Sequence, residues 1–194
     1  MYFTKSQLKQ SYAEDRIITE SINEDESLRA TFDIFLSHSY SDKIYIAKLK
    51  EILEKNYNYT VYVDWITDKI TLDRDKGVTK DTADKIRSRL KQSNSMIFAT
   101  SSNTPNSKWM PWELGYYDSF SSDKFKISKI GILPITDNTD DNFEGQEYLG
   151  LYPVVTEQTS NKTHKKKLWV RKSSKIYVAY DEWLYENKQP YEHK

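Results

Sequence analysis

The sequence predicts an α/β fold in which helices cover both faces of a parallel β-sheet. Short apolar runs of strand length alternate with segments whose apolar residues recur at helical spacing, and this alternation is typical of such a sheet. The chain has 194 residues, which is enough for one domain with terminal extensions and short for two. The sequence therefore favours one domain built from successive βα units.

The first βα unit starts at about residue 31. Residues 31–36 form an apolar run that ends in Ser37-His38-Ser39, which fits a buried strand that meets a polar loop. Ser39 or Ser41 can cap the helix that follows, because serine oxygens accept hydrogen bonds from the free N–H groups at a helix start. The apolar face of this helix comprises Ile46, Leu49 and Leu53.

The alternation continues along the chain. Further strands are predicted at residues 60–63, 95–100, 129–134 and 148–155, and helices at residues 79–92 and from about Lys108 onwards. Beyond these, residues 168–170 are β-prone and residues 173–185 predict a closing helix. We therefore divide the chain into a helical or partly ordered extension (1–30), a domain (31–158), and a C-terminal β/helix extension that packs on or completes the domain (159–194).

The composition argues against several classes of function. Basic and acidic residues number 29 each, so no net field favours nucleic acid or an anionic membrane. The run Lys165-Lys166-Lys167 is interpreted as solvated surface. There is no cysteine, and the three histidines are too scattered to suggest a metal site. Neither a signal peptide nor a membrane span is evident, so we expect a cytoplasmic protein that binds no metal.

The segment over residues 107–115 is the most informative. Ser107 can act as an N-cap, and Pro111 is tolerated only in a first helical turn, so a helix should start here. Trp109 and Glu113 would then lie one turn apart on the same face, and an aromatic ring beside a carboxylate suits a flat cationic substrate. The helix dipole favours the ionised form of Glu113, which can stabilise a developing positive charge.

The predicted topology brings several residues to one edge of the sheet. In open parallel sheets, ligands bind at the carboxyl ends of the strands. The residues that follow the first two predicted strands, or that belong to the helix after the third, are Ser37, His38, Asp64, Trp65, Trp109 and Glu113. We expect them to face one crevice that binds the substrate, with an indole ring from Trp65 or Trp109 stacked on an aromatic ring of the ligand.

These motifs resemble, in order and spacing, the Toll/interleukin-1 receptor (TIR) domain of bacterial type. The resemblance is carried by Asp-Ile-Phe-Leu-Ser-His-Ser at residues 33–39, by Val-Tyr-Val-Asp at residues 61–64, and by Ser107-Lys108-Trp109 with Glu113. It runs from about residue 32 to residue 134. It implies a flavodoxin-like TIR fold with a five-stranded parallel sheet and helices on both faces.

The resemblance also implies an activity. Many TIR proteins cleave the nicotinamide-ribose bond of NAD with a glutamate on the helix after the third strand, a position that falls on Glu113. NAD would be the substrate, and no cofactor would be needed. Some members place an aromatic-basic pair after the first strand, where this chain has His38-Ser39, so the group that binds the phosphates is not identified.

The resemblance extends to assembly and pathway. In the family, the loop after the second strand gates the pocket and mediates self-association through TIR–TIR contacts, and here that loop covers residues 65–78. The chain resembles most the small stand-alone TIR proteins of anti-phage systems such as Thoeris. Their product is an ADP-ribose derivative, which implies a downstream effector that senses it.

The chemistry of NAD cleavage is compatible with a single carboxylate. Nicotinamide leaves as a neutral pyridine, so no general acid is needed at the leaving group, unlike in ordinary glycoside hydrolysis. One carboxylate can stabilise the oxocarbenium-like transition state. The shape of the pocket decides which nucleophile captures the ribosyl cation, and therefore whether the product is linear, cyclic or conjugated.

Other classes of protein fit the sequence less well. A receiver domain would use Asp64 as phosphoacceptor, but it needs an acidic pair where this chain has Ser37-His38-Ser39. The five glycines form neither a Walker motif nor a dinucleotide fingerprint, and a nucleophile elbow is missing. The remaining alternative is a non-catalytic TIR scaffold that acts by assembly alone. Glu113 beside Trp109 argues against it.

Overall fold

The structure is a computed structural model that describes residues 1–9, 28–68, 70, 79–138, 145–160 and 163–193. Its strands are β1 (Phe3–Thr4), β2 (Phe32–Ser37), β3 (Val61–Tyr62), β4 (Ser93–Thr100), β5 (Ile130–Thr136), β6 (Val154–Thr159), β7 (Lys166–Arg171), β8 (Ile176–Ala179) and β9 (Tyr191–Glu192). Its α-helices are α1 (Lys5–Lys9), α2 (Lys43–Lys55), α3 (Asp64–Thr67), α4 (Lys80–Gln92), α5 (Trp109–Phe125) and α6 (Tyr180–Tyr185). None of these helices combines the length and apolar character needed to cross a bilayer.

The strands form one nine-stranded sheet of order β3-β2-β4-β5-β6-β7-β8-β9, with β1 paired to β5. All pairs from β3 to β6 are parallel, as the alternation predicted, whereas β7, β8 and β9 join in antiparallel pairs. The prediction of a five-stranded parallel sheet is therefore wrong in extent. The sheet continues because Leu168, Val170 and Val178 alternate with more exposed residues and bury their side chains in the core.

Alternate residues along the strands supply two cores, one on each face of the sheet. On one face, Ile34 and Leu36 of β2 belong to a core cluster that also contains residues of α2 and α6. On the other face, Phe35 of the same strand belongs to a cluster that contains residues of α4 and α5. Because side chains alternate across a strand, β2, β3, β4 and β5 each contribute to both cores. The prediction of helices on both faces is confirmed.

The N-terminal strand β1 belongs to the sheet. Phe3 and Thr4 pair in parallel with Ile135 and Thr136 of β5, and the amino group of Met1 donates a hydrogen bond to the carbonyl of Glu157 at 3.1 Å. Residues 10–27, which make up most of the expected N-terminal extension, lie outside the described residues.

Two predicted elements near the C-terminus differ from the structure. The strand predicted from residue 148 starts only at Val154, because Glu147–Leu151 forms a 3₁₀ turn first. The helix predicted over residues 173–185 is replaced in its first half by β8. The physical reason is pairing with β7: Tyr177 and Val178 face Arg171 and Val170 across an antiparallel ladder, and β-branched and aromatic residues suit such a ladder.

Candidate active site

The residues predicted to face one crevice lie near the point where the strand order of the sheet reverses. Strand β2 stands between β3 and β4 in the sheet, so the chain leaves β2 on one side for β3 and crosses to the other side for β4. Such switch points form crevices at the carboxyl ends of parallel strands. Ser37 ends β2, Asp64 begins the short helix that follows β3, and Glu113 lies in the second turn of α5, after β4.

Glu113 is buried and held by one hydroxyl group. Ser37 Oγ donates a hydrogen bond of 2.6 Å to Glu113 Oε2, across 76 positions of sequence. The two residues are 1% and 4% exposed, respectively. Hydrogen bonds to a carboxylate are short and strong, so Ser37 orients this group. Ser37 engages Oε2, which leaves Oε1 as the oxygen that can meet a ligand.

Burial also decides the protonation of Glu113. Desolvation first, and the negative charge of nearby Asp64 second, raise the pKa of Glu113 to about 8, although the Ser37 hydrogen bond opposes the rise. Burial likewise raises the pKa of Asp64, against the opposing effects of His38 and the Trp65 backbone N–H. The sequence predicts that the helix dipole favours ionised Glu113, but the dipole effect fades beyond the first turn and desolvation acts in the opposite direction.

Two neighbours hold the His38 ring in place. Its Nδ1 lies 3.0 Å from the Leu36 carbonyl, and its Nε2 lies 3.0 Å from the indole Nε1 of Trp65. A carbonyl only accepts and an indole N–H only donates, so Nδ1 donates to Leu36 and Nε2 accepts from Trp65. Nε2 is also 3.7 Å from Asp64 Oδ1. Both ring nitrogens are thus engaged by the protein, and His38 positions Trp65 rather than presenting a free nitrogen to a ligand.

Helix α5 begins at Trp109, as the sequence predicts within a residue or two, but its N-cap is Lys108 instead of Ser107. The Ser107 hydroxyl accepts only a long hydrogen bond, 3.4 Å, from the Met110 N–H. The Trp109 ring meets Trp112 edge-on at 5.2 Å and packs against the core cluster on that face. Contact between Trp109 and a ligand therefore stays a prediction.

A buried ion pair that the sequence analysis missed secures the segment after β3. Arg89 of α4 donates to both carboxylate oxygens of Asp68 at 2.8 and 2.9 Å, and the Tyr62 hydroxyl donates a third hydrogen bond of 3.0 Å. Burial alone would raise the pKa of Asp68, but the hydrogen bonds and charge of Arg89 lower it below the usual value. The pair anchors the end of α3, and so the neighbouring Asp64 and Trp65. No local sequence motif predicts this ion pair, since 21 positions separate Asp68 and Arg89.

A second missed residue joins the two loops that flank the crevice. Asp42, only 1% exposed, accepts hydrogen bonds from Ser101 Oγ at 2.6 Å and from Asn103 Nδ2 at 2.7 Å. It thereby ties the loop after β2 to the loop after β4, which leads into α5. An acidic residue in a polar loop is ordinarily solvated, so only the tertiary contacts identify this role.

The segment expected to mediate self-association is partly a core element. Ile66 is 1% exposed and belongs to the core, so its side chain is not exposed for an interface. Ile70 is half-buried and packs against the core on the opposite face. Residue 69 and residues 71–78, the rest of this loop, lie outside the described residues. Self-association through this loop stays a prediction.

The fold and the site together define a class of protein. A sheet with a parallel part, helices on both faces and a carboxylate buried at the switch point, on the helix after β4, is the arrangement of a TIR-like domain. The family model described as "Thoeris protein ThsB, TIR-like domain" matches residues 35–138. The chain belongs to this Thoeris ThsB family.

Two relatives are similar to this chain over different extents. "Probable 3' cyclic ADP-D-ribose synthase ThsB'" of Bacillus cereus (strain MSX-D12) is 45% identical over 157 residues, which cover 80% of this chain and 77% of that protein. TIR2 of Cytobacillus dafuensis, provisionally named a cyclic ADP-D-ribose synthase, is 30% identical over 100 residues, or 52% of this chain. The match spans only 26% of TIR2, so this relative is similar over one part of its length.

Proposed function

We propose that this protein cleaves the bond between nicotinamide and ribose in NAD and makes a cyclic ADP-ribose as a signal in anti-phage defence. The observation that carries the proposal is the buried Ser37–Glu113 pair at the carboxyl ends of the strands. It occurs in a chain of the Thoeris ThsB family, two of whose relatives are named as cyclic ADP-D-ribose synthases.

Glu113 is the proposed catalytic residue. When the bond from ribose C1′ to the pyridinium nitrogen breaks, its electron pair goes to the nitrogen, and nicotinamide leaves as a neutral molecule. Positive charge then develops on the ribose ring. An ionised carboxylate beside that ring stabilises the charge, most strongly where water is excluded. Glu113 is 4% exposed and held by Ser37, so its carboxyl group lies in surroundings from which water is largely excluded.

The raised pKa of Glu113 implies that the substrate itself ionises the residue. With a pKa of about 8, most Glu113 side chains are protonated at neutral pH before NAD binds. A pyridinium ring that enters the pocket brings a positive charge, and a nearby positive charge favours the ionised carboxyl. Binding of NAD therefore releases a proton from Glu113 and produces the charged form that the transition state requires.

Burial also supports a cyclic product over a linear one. Ser37, Asp64 and Glu113 are all buried, so few water molecules can reach the ribosyl cation. A hydroxyl group of the same substrate molecule then forms the new bond to C1′ and loses its proton. The products are nicotinamide, a cyclic ADP-ribose and one proton. Capture by water would give linear ADP-ribose.

Asp64, Trp65 and His38 are the proposed supporting residues. Asp64 contributes a second buried carboxyl that attracts the cationic ring. Trp65, half-buried at the start of α3, offers an indole face for stacking, and His38 holds that indole through its N–H. Cation–π contact with a pyridinium contributes about 0.5–2 kcal/mol, which is enough to orient the ring.

The test is incubation of concentrated purified protein with NAD, followed by chromatography and mass spectrometry of the products. Wild-type protein should release nicotinamide and form a product with the mass of ADP-ribose less one water. Glu113→Gln should lower the rate by at least about 10²–10³ and leave the fold intact. Glu192→Gln, which changes an exposed carboxylate on β9, is the matched control. Wild-type turnover in a folded Glu113→Gln protein would refute the assignment of the catalytic residue.

The same assay separates catalysis from a scaffold. No nicotinamide release at high protein concentration, with and without a crowding agent, would favour a non-catalytic scaffold. Specific activity measured across a roughly hundredfold dilution tests self-association, because a pocket completed by a neighbouring copy is populated in proportion to assembly. Activity that stays flat in a monomeric protein would show that each chain carries a complete site.

A further inference from the structure

A cavity of about 350 Å³ lies between the loop after α2, the start of β7 and helix α6, and it shares no residue with the Ser37–Glu113 site. We call it the tyrosine-lysine groove. The aromatic and basic residues that line it are Tyr57, Tyr59, Lys165, Lys166, Lys167 and Tyr185. The lysine run that the sequence analysis interpreted as solvated surface therefore faces a set of aromatic rings.

Three tyrosine rings form one wall of this groove. The rings of Tyr57 and Tyr59 stack with centroids 6.4 Å apart, and Tyr185 lies 6.4 Å from Tyr59 at a tilt of 34°. Tyr185 is 58% exposed, so one face of its ring is open to a ligand. Asn58, between the first two tyrosines, has a left-handed backbone with φ of 59°. Asparagine tolerates this conformation better than most residues.

The groove is lined by positive charge from its lysines and by one carboxylate, Asp181. Lys166 Nζ pairs with Glu157 at 2.7 Å, and Lys167 Nζ lies 3.7 Å from Asp181. Within the described part of the chain, Lys165 has no carboxylate partner and is exposed. His164, just before it, also has a left-handed backbone, with φ of 53°. Such conformations cost roughly 1–3 kcal/mol in residues other than glycine, and functional sites are where they concentrate.

We propose that the tyrosine-lysine groove binds a mononucleotide, with the base stacked on Tyr185 and the phosphates at Lys165. Stacking of a base on an aromatic ring is worth about 1–3 kcal/mol, and lysine ammonium groups bind phosphate as point charges. The volume of about 350 Å³ is at the lower end of the range for small-molecule pockets. It suits one nucleotide better than a polymer strand.

The test is calorimetric titration of the full-length Glu113→Gln protein with ADP. This background prevents turnover, and its binding readout does not depend on the function proposed for the Ser37–Glu113 site. Lys165→Gln and Tyr185→Ala should each raise the Kd for ADP by about tenfold. Lys175→Gln and Tyr191→Ala change an exposed lysine and an exposed tyrosine outside the groove, so they should leave the Kd unchanged.

Four results would overturn the proposal. The first is an absence of ADP binding at millimolar concentration. The second is equal affinity for inorganic pyrophosphate, because the tyrosine rings would then contribute nothing. The third is an ADP affinity that neither groove variant alters, because ADP would then occupy the Ser37–Glu113 site. The fourth is tighter binding of a short oligothymidylate than of ADP, which would make the surface a single-strand binding site instead.

Discussion

The raised pKa of Glu113 predicts how NAD cleavage depends on pH. Burial and the charge of Asp64 move this pKa from 4.5 to about 8. At about 1.4 kcal/mol per pH unit, the change corresponds to about 5 kcal/mol that disfavours the carboxylate. At pH 7, only about one free molecule in ten carries the ionised form required by the proposed mechanism.

The value of kcat/KM reports the pKa of the free protein, whereas kcat reports that of the complex with substrate. We expect kcat/KM to rise nearly tenfold from about pH 6 to pH 7 and to level off above about pH 8. The kcat profile should level off at lower pH, because the bound pyridinium favours ionised Glu113. Initial rates of nicotinamide release at low and at saturating NAD measure both profiles.

Two variants should move the midpoint of kcat/KM in opposite directions. Asp64→Asn removes the charge that raises the pKa of Glu113, so the midpoint should move to lower pH. Ser37→Ala removes the hydrogen bond that lowers this pKa, so the midpoint should move to higher pH. General damage to the fold would not produce opposite shifts. A kcat/KM that falls as pH rises from 6 to 8, or a midpoint that neither variant moves, would refute the reasoning.

Three further predictions concern stability, measured by urea denaturation. Glu113 has a folded-state pKa of about 8, above its ordinary 4.5, so the stability that it contributes is complete below about pH 4.5 and is lost as pH rises through 8. Glu113→Gln should therefore raise the free energy of unfolding by about 3 kcal/mol at pH 7 and by little at pH 4. An equal increase at both pH values would contradict this prediction. Asp42→Ala removes the acceptor for the hydrogen bonds donated by Ser101 Oγ and Asn103 Nδ2 and should cost about 2–3 kcal/mol, more than Ser101→Ala does. Ile66→Asp places a charge in the core and should lower the free energy of unfolding by more than about 3 kcal/mol at every protein concentration. Restored folding and activity at high protein concentration would instead support an interface formed by this loop.

Elements with local signals were predictable from sequence. The Thr79 side chain caps α4 by accepting a hydrogen bond from the Thr82 N–H. That helix, Lys80–Gln92, ends at the residue predicted. Pro111 placed the start of α5 to within two residues, since proline is confined to a first helical turn. Strand β8 was not predictable in this way, because its state depends on pairing with β7, and a sequence alone does not show which strands pair.

The candidate site likewise has features that could be predicted from the sequence and features that depend on tertiary contacts. The position of Ser37 relative to Glu113 follows from topology, because both lie at carboxyl ends of a parallel sheet, and the 2.6 Å hydrogen bond agrees with it. The role of His38 could not be predicted, since it depends on contacts with the Leu36 carbonyl and the Trp65 indole. The protonation of Glu113 could not be predicted either, because desolvation is set by the packing of the whole crevice.

That desolvation is consistent with selection for a cationic ring. The surroundings that disfavour the Glu113 carboxylate also strengthen its attraction to positive charge, because both effects grow as the local dielectric falls. As the bond to C1′ breaks, the positive charge passes from the nicotinamide ring to the ribose. The attraction to the ribose therefore grows in the transition state while the attraction to the nicotinamide ring is lost, so cleavage is accelerated without retention of the leaving group. In the proposed mechanism, a dinucleotide with a reduced, neutral nicotinamide ring brings no positive charge, so Glu113 would stay protonated. The glycosidic bond of that dinucleotide would then stay intact.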